Sequence, residues 1–407
     1  MSSPLAPLGA LLVAFLVAAA PADAQRSKQR RNDPSLCTVC EGNPDLMTPA
    51  GIVSHGVFPF GTDNTKETDI FLATSDIRWI ETEHVRIGFG LGSYKVSEKE
   101  KKKLRAELIE LQEHFPDIEP KKKILDPWYR VHLFALRVEK AYDRFLELIR
   151  KEQRDFPEVG DQWMIGRPYM GEGPHLGQKE KYEILIVETP AEQVTYLREH
   201  FGLLIKKTQR WNVVERDALT VTMHIRQGQL RVDTALHGHV VFNLAHCMLD
   251  GYKHYSYDTP LWIHEGLAHF MEREVSPRWN SFDSTEGSIA EQTRKEKWIP
   301  QVKKMINGRK APRMAELMNL QSYAAFELEH HYATWSMTKF LVEEHANGYA
   351  CLNDELHGLK DAEGYPDGSN MRDTHRKAFQ TCLGMSYAQF DQAWKEWALG
   401  LDPGPPR

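Results

Sequence analysis

LHGHVVFNLAHCMLDGYKHYSYDTPLWIHEGLAHFMERE, residues 236–274, is the most informative segment of this chain. It combines two apolar segments of helical character, approximately Thr234–Leu249 and Pro260–Glu274, with a high density of histidine and carboxylate. An ionisable group on an apolar helix loses its hydration when the helix is buried, so it needs a compensating partner. We therefore expect these two helices to carry the functional side chains of this protein.

The segment between His264 and His269 comes close to the H-E-x-x-H zinc signature but does not match it. That signature spaces its histidines by four residues, about 40° apart around a helix, whereas a spacing of five puts them about 140° apart. Two rings placed in this way do not readily bind one metal ion. Glu265 and His269, however, are four residues apart and share one helix face.

A family resemblance rests on the segment WIHEGLA, which begins at Trp262. It resembles the W-x-x-E-G-L-A element of peptidase-MA-like gluzincins, a zinc metallopeptidase family in which this glutamate is the third zinc ligand. The other two ligands come from an H-E-x-x-H helix earlier in the chain. The corresponding segment here is FNLAH, which keeps the second histidine as His246 but has Phe242 and Asn243 in place of the first histidine and the catalytic glutamate.

The resemblance covers about residues 77–400. Glu81–Ile87 resembles the family's opening strand, Tyr129–Leu148 its first long helix, Tyr332–Ser336 a downstream helix, and Gly384–Trp397 its closing pattern. The resemblance implies a gluzincin-like α+β fold. In that fold a small sheet packs on the site helices and a mainly helical C-terminal part follows.

The replacements bear directly on catalysis. A gluzincin site needs three protein ligands, a bound water and a general base that takes the proton of that water. His246 and Glu265 keep ligand positions, but a phenylalanine cannot coordinate a metal and the neutral amide of Asn243 cannot accept a proton. The resemblance therefore implies an exported, degenerate pseudopeptidase. Such a protein would use the old cleft to bind a peptide or protein, or would act as a scaffold.

An atypical zinc-dependent hydrolase with relocated ligands remains open as an alternative. His239 and His246 are seven residues apart, so they lie on one helix face two turns apart. A ligand set of His246, Glu265, His269 and His239 would suit zinc or another first-row metal. Tyr332 is a candidate for stabilising an oxyanion, and equally a candidate core tyrosine.

The N-terminus has the pattern of a signal peptide. Leu8–Ala20 is almost continuously apolar, and Ala22-Asp23-Ala24 offers a small-x-small cleavage site. We predict cleavage after Ala24 and export to a periplasm or outside the cell. Neither this run nor any later segment is long enough for a transmembrane helix. The formal net charge of -6 shows no basic excess, which argues against nucleic acid as a partner.

Five cysteines are compatible with export. Cys37 and Cys40 form a C-x-x-C without a following histidine or a second C-x-x-C, which excludes c-type haem and a four-thiolate zinc site. A local disulfide, a redox pair and a plain structural role remain open for them. Cys351 and Cys382 can pair with each other, whereas Cys247 lies in an apolar helix and is predicted to be a buried thiol.

We divide the chain into four parts: the signal peptide (1–24), an irregular leader with the C-x-x-C (25–75), an α+β domain with the site helices (76–275) and a helical C-terminal subdomain (276–400). Alternating apolar residues predict a strand or hairpin at Ile77–Gly90 and strands at Tyr182–Glu188 and Ala218–Ile225. Besides the two site helices, helical spacing predicts helices at Lys99–His114, Tyr129–Lys151, Pro190–Phe201, Gln301–Ile306, Met314–Met318, Tyr332–His345 and Tyr387–Gly400.

Overall fold

A computed structural model describes residues 33–158, 169–256, 259–282 and 297–401. The predicted signal peptide and its cleavage site lie outside the described residues. Among the described helices, none combines the length and the apolar composition needed to cross a membrane.

Ten strands and thirteen α-helices make up the described part of the chain. The strands are β1 (Ile52–Ser54), β2 (Pro59–Phe60), β3 (Asp63–Asn64), β4 (Arg78–Thr82), β5 (Val85–Phe89), β6 (Tyr94–Lys95), β7 (Ile124–Leu125), β8 (Tyr182–Val187), β9 (Gln209–Val213) and β10 (Ala218–His224). The helices are α1 (Pro44–Met47), α2 (Thr65–Phe71), α3 (Lys101–His114), α4 (Pro127–Ile149), α5 (Pro190–Phe201), α6 (Asp233–Gly251), α7 (Leu261–Val275), α8 (Trp298–Asn307), α9 (Met314–Leu317), α10 (Leu328–Glu344), α11 (Ala346–Leu356), α12 (Met371–Leu383) and α13 (Tyr387–Gly400).

The main sheet has six strands in the order β1-β4-β5-β8-β10-β9. Its central strands β5, β8 and β10 are parallel, whereas β1, β4 and β9 pair antiparallel with their neighbours. The protein is thus a mixed α and β structure with a small mixed sheet and many helices, which confirms the fold prediction at that level.

Both faces of this sheet are covered. Along β8 the side chains alternate: Ile184 and Ile186 join the main core, whereas Leu185 and Val187 join a smaller core that α5 closes from the other side. Alternation of this kind follows from the two-residue period of a strand. The main core lies on the face where α4 and α6 pack.

The long helix α4 has clear local signals at both ends. The Asp126 side chain accepts hydrogen bonds from the backbone N–H groups of Trp128 and Tyr129, and Pro127 occupies the first helical turn. A side-chain acceptor there satisfies N–H groups that the helix itself leaves unpaired. The helix ends at Ile149, and the next residue, Arg150, adopts a left-handed conformation.

The two site helices lie at the centre of the molecule. Helix α6 packs on α4 and on the sheet, α7 packs on α6, and α10 packs on the far side of α7. Nearly every residue of α6 is buried. Side chains that face inward from α6, α7 and α10 therefore meet in an interior shielded from solvent.

Most predicted elements form within a few residues of their expected bounds, and α5 and α13 match them at both ends. The region 37–75, expected to be irregular, instead contains the short elements β1 to β3, α1 and α2. Strands of two or three residues are too short to show a periodic pattern, and β1 is ordered by pairing with β4. Cys351 and Cys382 form a disulfide between α11 and α12.

Glu183, on β8, provides a test of stability against pH. Burial raises the pKa of this fully buried carboxyl to about 7, although Arg216 and the Gly61 N–H oppose the shift. The folded state therefore holds the proton more tightly than the unfolded chain, where a glutamate titrates near ~4.3. We expect the free energy of unfolding to fall as the pH rises from about 5 to about 7, by up to roughly 1.4 kcal/mol per pH unit.

The measurement is urea unfolding of the wild type and of Glu183→Gln from about pH 5 to about pH 8. Relative to the variant, the wild type is expected to lose stability as the pH rises. Glu180→Gln serves as the control because Glu180 also pairs with an arginine but is partly exposed. A difference between wild type and Glu183→Gln that stayed constant with pH would contradict the assignment.

Candidate metal centre

A buried carboxylate surrounded by imidazoles lies where α6, α7 and α10 meet. Glu265 and His269 come from α7, one turn apart, and His246 comes from α6. His331 comes from the first turn of α10. The structure thus brings together three residues singled out in the sequence and adds His331.

The distances define a compact group of donor atoms. Glu265 Oε2 lies 3.5 Å from His269 Nε2 and 3.3 Å from His331 Nδ1, and these two nitrogens are 2.9 Å apart. The other carboxylate oxygen, Oε1, lies 3.2 Å from His246 Nε2. The side chains of Glu265, His269 and His331 therefore form a triangle of ligand atoms, and His246 contacts the outer oxygen of the carboxylate.

Aromatic rings surround the centre and shield it from solvent. Glu265, His269 and His331 have no measurable solvent exposure. Rings that surround the two imidazoles of the triangle are contributed by Phe242, Phe282, Trp298 and Phe326. A carboxylate inside such a wall is stable only when positive charge or hydrogen-bond donors compensate it.

The electrostatics favour an ionised carboxylate. Burial acts to raise the pKa of Glu265, but the neighbouring imidazoles of His246 and His331 outweigh it and hold the pKa well below its usual range. Burial, together with His331, holds the pKa of His269 well below its usual value, so this imidazole is neutral and can offer a lone pair. A carboxylate oxygen and an imidazole nitrogen with a free lone pair are donor types that zinc prefers.

The two positions that depart from the family pattern are engaged elsewhere. The ring of Phe242 lies between His246 and His269, with centroid distances of 4.8 Å and 5.1 Å. The amide of Asn243 accepts a hydrogen bond from Arg210 at 3.0 Å and donates one to the backbone oxygen of His239 at 2.8 Å. The hydrogen bonds of this amide among the described residues go to Arg210 and His239 and not to Glu265.

His239 is not part of the triangle, contrary to the extended ligand set considered from the sequence. Its Nε2 lies 2.8 Å from Thr208 Oγ1, and its Nδ1 lies 2.9 Å from Ser281 Oγ. Ser281 in turn donates to Glu272, which lies 3.4 Å from His269. His239 is thus linked to the centre through this chain of hydrogen bonds.

Tyr332 faces a different environment from its neighbour His331. Its ring packs edge-on against Trp298 at 5.0 Å, and Glu329 and Arg273 are the charged groups that act on it. Burial raises the pKa of its hydroxyl to about 12. These contacts correspond to the core tyrosine considered from the sequence rather than to a group directed at Glu265.

His331 was not identified from the sequence, although a signal for it was present. It belongs to a pair of adjacent histidines that precede an apolar helical segment, and only its chain distance from α7 concealed the connection. The contact between His269 and His331 spans 62 residues. A contact of this separation leaves no periodic trace in the sequence.

The triangle fits a zinc ion on the basis of its own distances. Zinc binds nitrogen and oxygen ligands at about 2.0–2.2 Å, so ligand atoms around a tetrahedral ion lie roughly 3.3 Å apart. The two separations from the carboxylate oxygen, 3.3 and 3.5 Å, agree with that value, whereas the two imidazole nitrogens, 2.9 Å apart, would have to separate by a few tenths of an ångström. The family's own ligand triad does not fit, because one of its positions is Phe242.

Comparison with known proteins provides no independent assignment: no protein-family model and no curated protein matches this chain. The resemblance to the gluzincins therefore rests on the motifs around Phe242–His246 and Trp262–Ala268.

Proposed function

We propose that this protein is an exported, gluzincin-like pseudopeptidase with a metal-binding core. It holds a structural metal ion at Glu265, His269 and His331, and it has lost peptide hydrolysis. Its role is that of a scaffold or of a binding protein for a peptide or protein. The observation that carries the proposal is the state of Asn243, whose amide occupies the general-base position and is bonded to Arg210 and His239.

The absence of a base is a chemical argument against hydrolysis. A general base must accept a proton from the attacking water, and it contributes typically 10²–10⁴-fold to the rate. Asn243 has no basic lone pair at neutral pH. Glu265 is the one carboxylate of the triangle. The imidazoles around it keep it ionised, so we assign it the role of a metal ligand.

The burial of the centre supports a structural role for the metal. A catalytic zinc site keeps an open position for water and substrate, whereas a structural site is closed. Glu265, His269 and His331 are fully buried, and aromatic rings fill the space beside them. Zinc bound there would supply positive charge that compensates the carboxylate, and the ligands themselves would tie α7 to α10.

A second candidate function, the atypical hydrolase with relocated ligands, is favoured by one observation. The triangle supplies three protein ligands, the number that a catalytic zinc site combines with a bound water. Both candidate functions include a metal ion bound at the Glu265 centre, but only the second includes peptide hydrolysis. An activity measurement therefore separates them.

The test combines metal content with peptide cleavage on the purified mature protein. We expect elemental analysis to show that His331→Gln loses one metal ion per chain relative to the wild type. His330→Gln is the matched control: this neighbouring histidine accepts a hydrogen bond from the Glu327 backbone N–H at the start of α10 and does not contact Glu265. We expect no cleavage of casein or of a peptide library above that of a chelator-treated sample.

Two results would contradict the proposal. Equal metal content in His331→Gln and the wild type would remove the metal-binding part. Chelator-sensitive cleavage that disappears in His331→Gln but persists in His330→Gln would establish the hydrolase instead.

A further inference from the structure

A second group of metal-ligand side chains lies outside the Glu265 centre and shares no residue with it. Cys37 and Cys40 come from the turn at the start of the described chain, His55 follows β1, and His132 lies in the second turn of α4. One ligand atom from each of these four side chains lies within 4.8 Å of the others, and all four residues are buried.

The two imidazoles are oriented by backbone carbonyl groups. His55 Nδ1 lies 2.9 Å from the oxygen of Trp79, and His132 Nδ1 lies 2.9 Å from the oxygen of Trp128. A carbonyl oxygen only accepts hydrogen bonds, so Nδ1 carries the hydrogen in each ring. In a neutral imidazole the other nitrogen, Nε2, then has a free lone pair.

Both of these lone-pair nitrogens face a sulfur atom. His55 Nε2 lies 3.1 Å from Cys40 Sγ, and His132 Nε2 lies 3.8 Å from Cys37 Sγ. Around a tetrahedral zinc with Zn–S bonds of about 2.3 Å and Zn–N bonds of about 2.0–2.1 Å, sulfur and nitrogen ligands lie roughly 3.6 Å apart. The observed distances lie on either side of that value.

The surroundings suit thiolate ligands. The backbone N–H groups of Val39 and Cys40 both donate to Cys37 Sγ at 3.4 Å, so two hydrogen bonds are in place for the thiolate that would form when a metal ion binds. Aromatic rings form the wall, with Trp128 at 5.4 Å from the His55 ring and Phe115 at 5.3 Å from the His132 ring. Two thiolates, two neutral imidazoles and one divalent cation have no net charge, so the complete group can be buried at low cost.

The geometry points to a structural zinc site formed by Cys37, Cys40, His55 and His132. Four protein ligands close the coordination sphere, which is typical of structural rather than catalytic zinc. Each cysteine binds as a thiolate and releases its proton when the metal enters. The site joins the N-terminal segment 33–64 to α4, and through α4 to the main core.

This assignment differs from the alternatives that the C-x-x-C left open. The two thiols are not joined to each other. A redox pair has no need of two imidazoles with their lone pairs directed at the sulfurs, and carbonyl groups that fix the imidazole tautomer are characteristic partners of metal-binding histidines.

Cobalt substitution of the full mature protein tests the site. The protein is stripped of metal by a chelator under reducing conditions and reconstituted with Co²⁺, and its absorption spectrum is recorded. We expect thiolate-to-cobalt charge-transfer absorption, which a site of glutamate and histidine does not produce. The double variant Cys37→Ser/Cys40→Ser is expected to lose this absorption together with one metal ion per chain.

Two controls separate this site from other metal binding. Cys247→Ala removes the buried cysteine of α6, and His331→Gln removes a ligand of the Glu265 centre; both are expected to keep the charge-transfer absorption. The result for Cys37 and Cys40 therefore does not depend on whether the Glu265 centre binds a metal ion.

Two measurements on the wild type keep the test decisive if the double variant does not fold. Reconstituted wild type without charge-transfer absorption would overturn the inference. A Cys37–Cys40 disulfide, found by mass spectrometry of protein purified without a reductant, would overturn it as well. In support, we expect alkylation to modify both cysteines after chelation and neither of them before it.

Discussion

Replacement of Arg137 by methionine is expected to lower the free energy of unfolding by about 3–5 kcal/mol. Arg137 Nη2 lies 2.6 Å from both Glu107 Oε2 and Asp233 Oδ2, and its side chain is 2% exposed. Without the guanidinium, Asp233 loses this salt bridge in the interior, while Glu107 keeps His237 at 3.3 Å and Lys103 at 4.0 Å. An unpaired buried charge of this kind destabilises far more than the loss of a surface pair.

The effect would extend to the site helices. Asp233 is the first residue of α6, so its pairing with Arg137 fixes the start of that helix against α4. Guanidinium chloride unfolding, followed by tryptophan fluorescence, measures the change. Lys140→Met is the matched control on the same helix, because Lys140 pairs with Glu110 while both side chains are about half exposed.

We expect the control to change stability by less than about 1 kcal/mol, since water already screens an exposed pair. Similar losses in Arg137→Met and Lys140→Met would refute the assigned importance of the buried pair. A folded Arg137→Met with unchanged stability would mean that Glu107 and Asp233 take up protons or move out of the interior.

Gly266→Ala is expected to destabilise the protein by about 1–3 kcal/mol through overpacking. A Cβ atom at this position would lie 2.9 Å from the backbone oxygen of Thr334 and would also clash with the hydroxyl of Thr338. The hydroxyl can rotate away, but the backbone oxygen cannot. Helices α7 and α10 would therefore have to move apart.

That movement has a functional consequence. Gly266 follows Glu265 on α7, and His331 lies on α10, so the separation of these helices sets the contact between carboxylate and imidazole. We expect Gly266→Ala to lose the metal ion of the Glu265 centre while keeping the thiolate-bound one. Thermal unfolding and metal analysis of the same sample measure both effects.

Gly238→Ala provides a control of opposite sign. Gly238 lies within α6, and a Cβ atom there would meet Glu272 Cγ at 3.4 Å, which is ordinary contact. An alanine in a helix is favoured over glycine by about 0.5–1 kcal/mol because its unfolded state has less freedom to lose. A stabilising Gly266→Ala would show that α7 and α10 are not closely packed at this point.

Local sequence patterns were sufficient to predict the helices that position the residues of the Glu265 centre. The helices α4, α6, α7 and α10 follow from apolar residues at helical spacing, and such spacing depends on neighbours only a few residues away. That Phe242 cannot coordinate a metal and that Asn243 cannot accept a proton is likewise apparent from the residue types alone. By itself, the sequence thus determined which helices are buried and which catalytic groups a gluzincin-like site would lack.

Tertiary packing alone determines which residues belong to the Glu265 centre and which belong to the site around Cys37 and Cys40. His331 meets His269 across 62 residues, and His132 meets Cys37 across 95. Which histidine reaches a ligand position depends on how α10 packs on α7 and how the N-terminal turn packs on α4. Packing of this kind brings together side chains whose separation along the chain follows no period, so residue spacing could neither include His331 nor exclude His239.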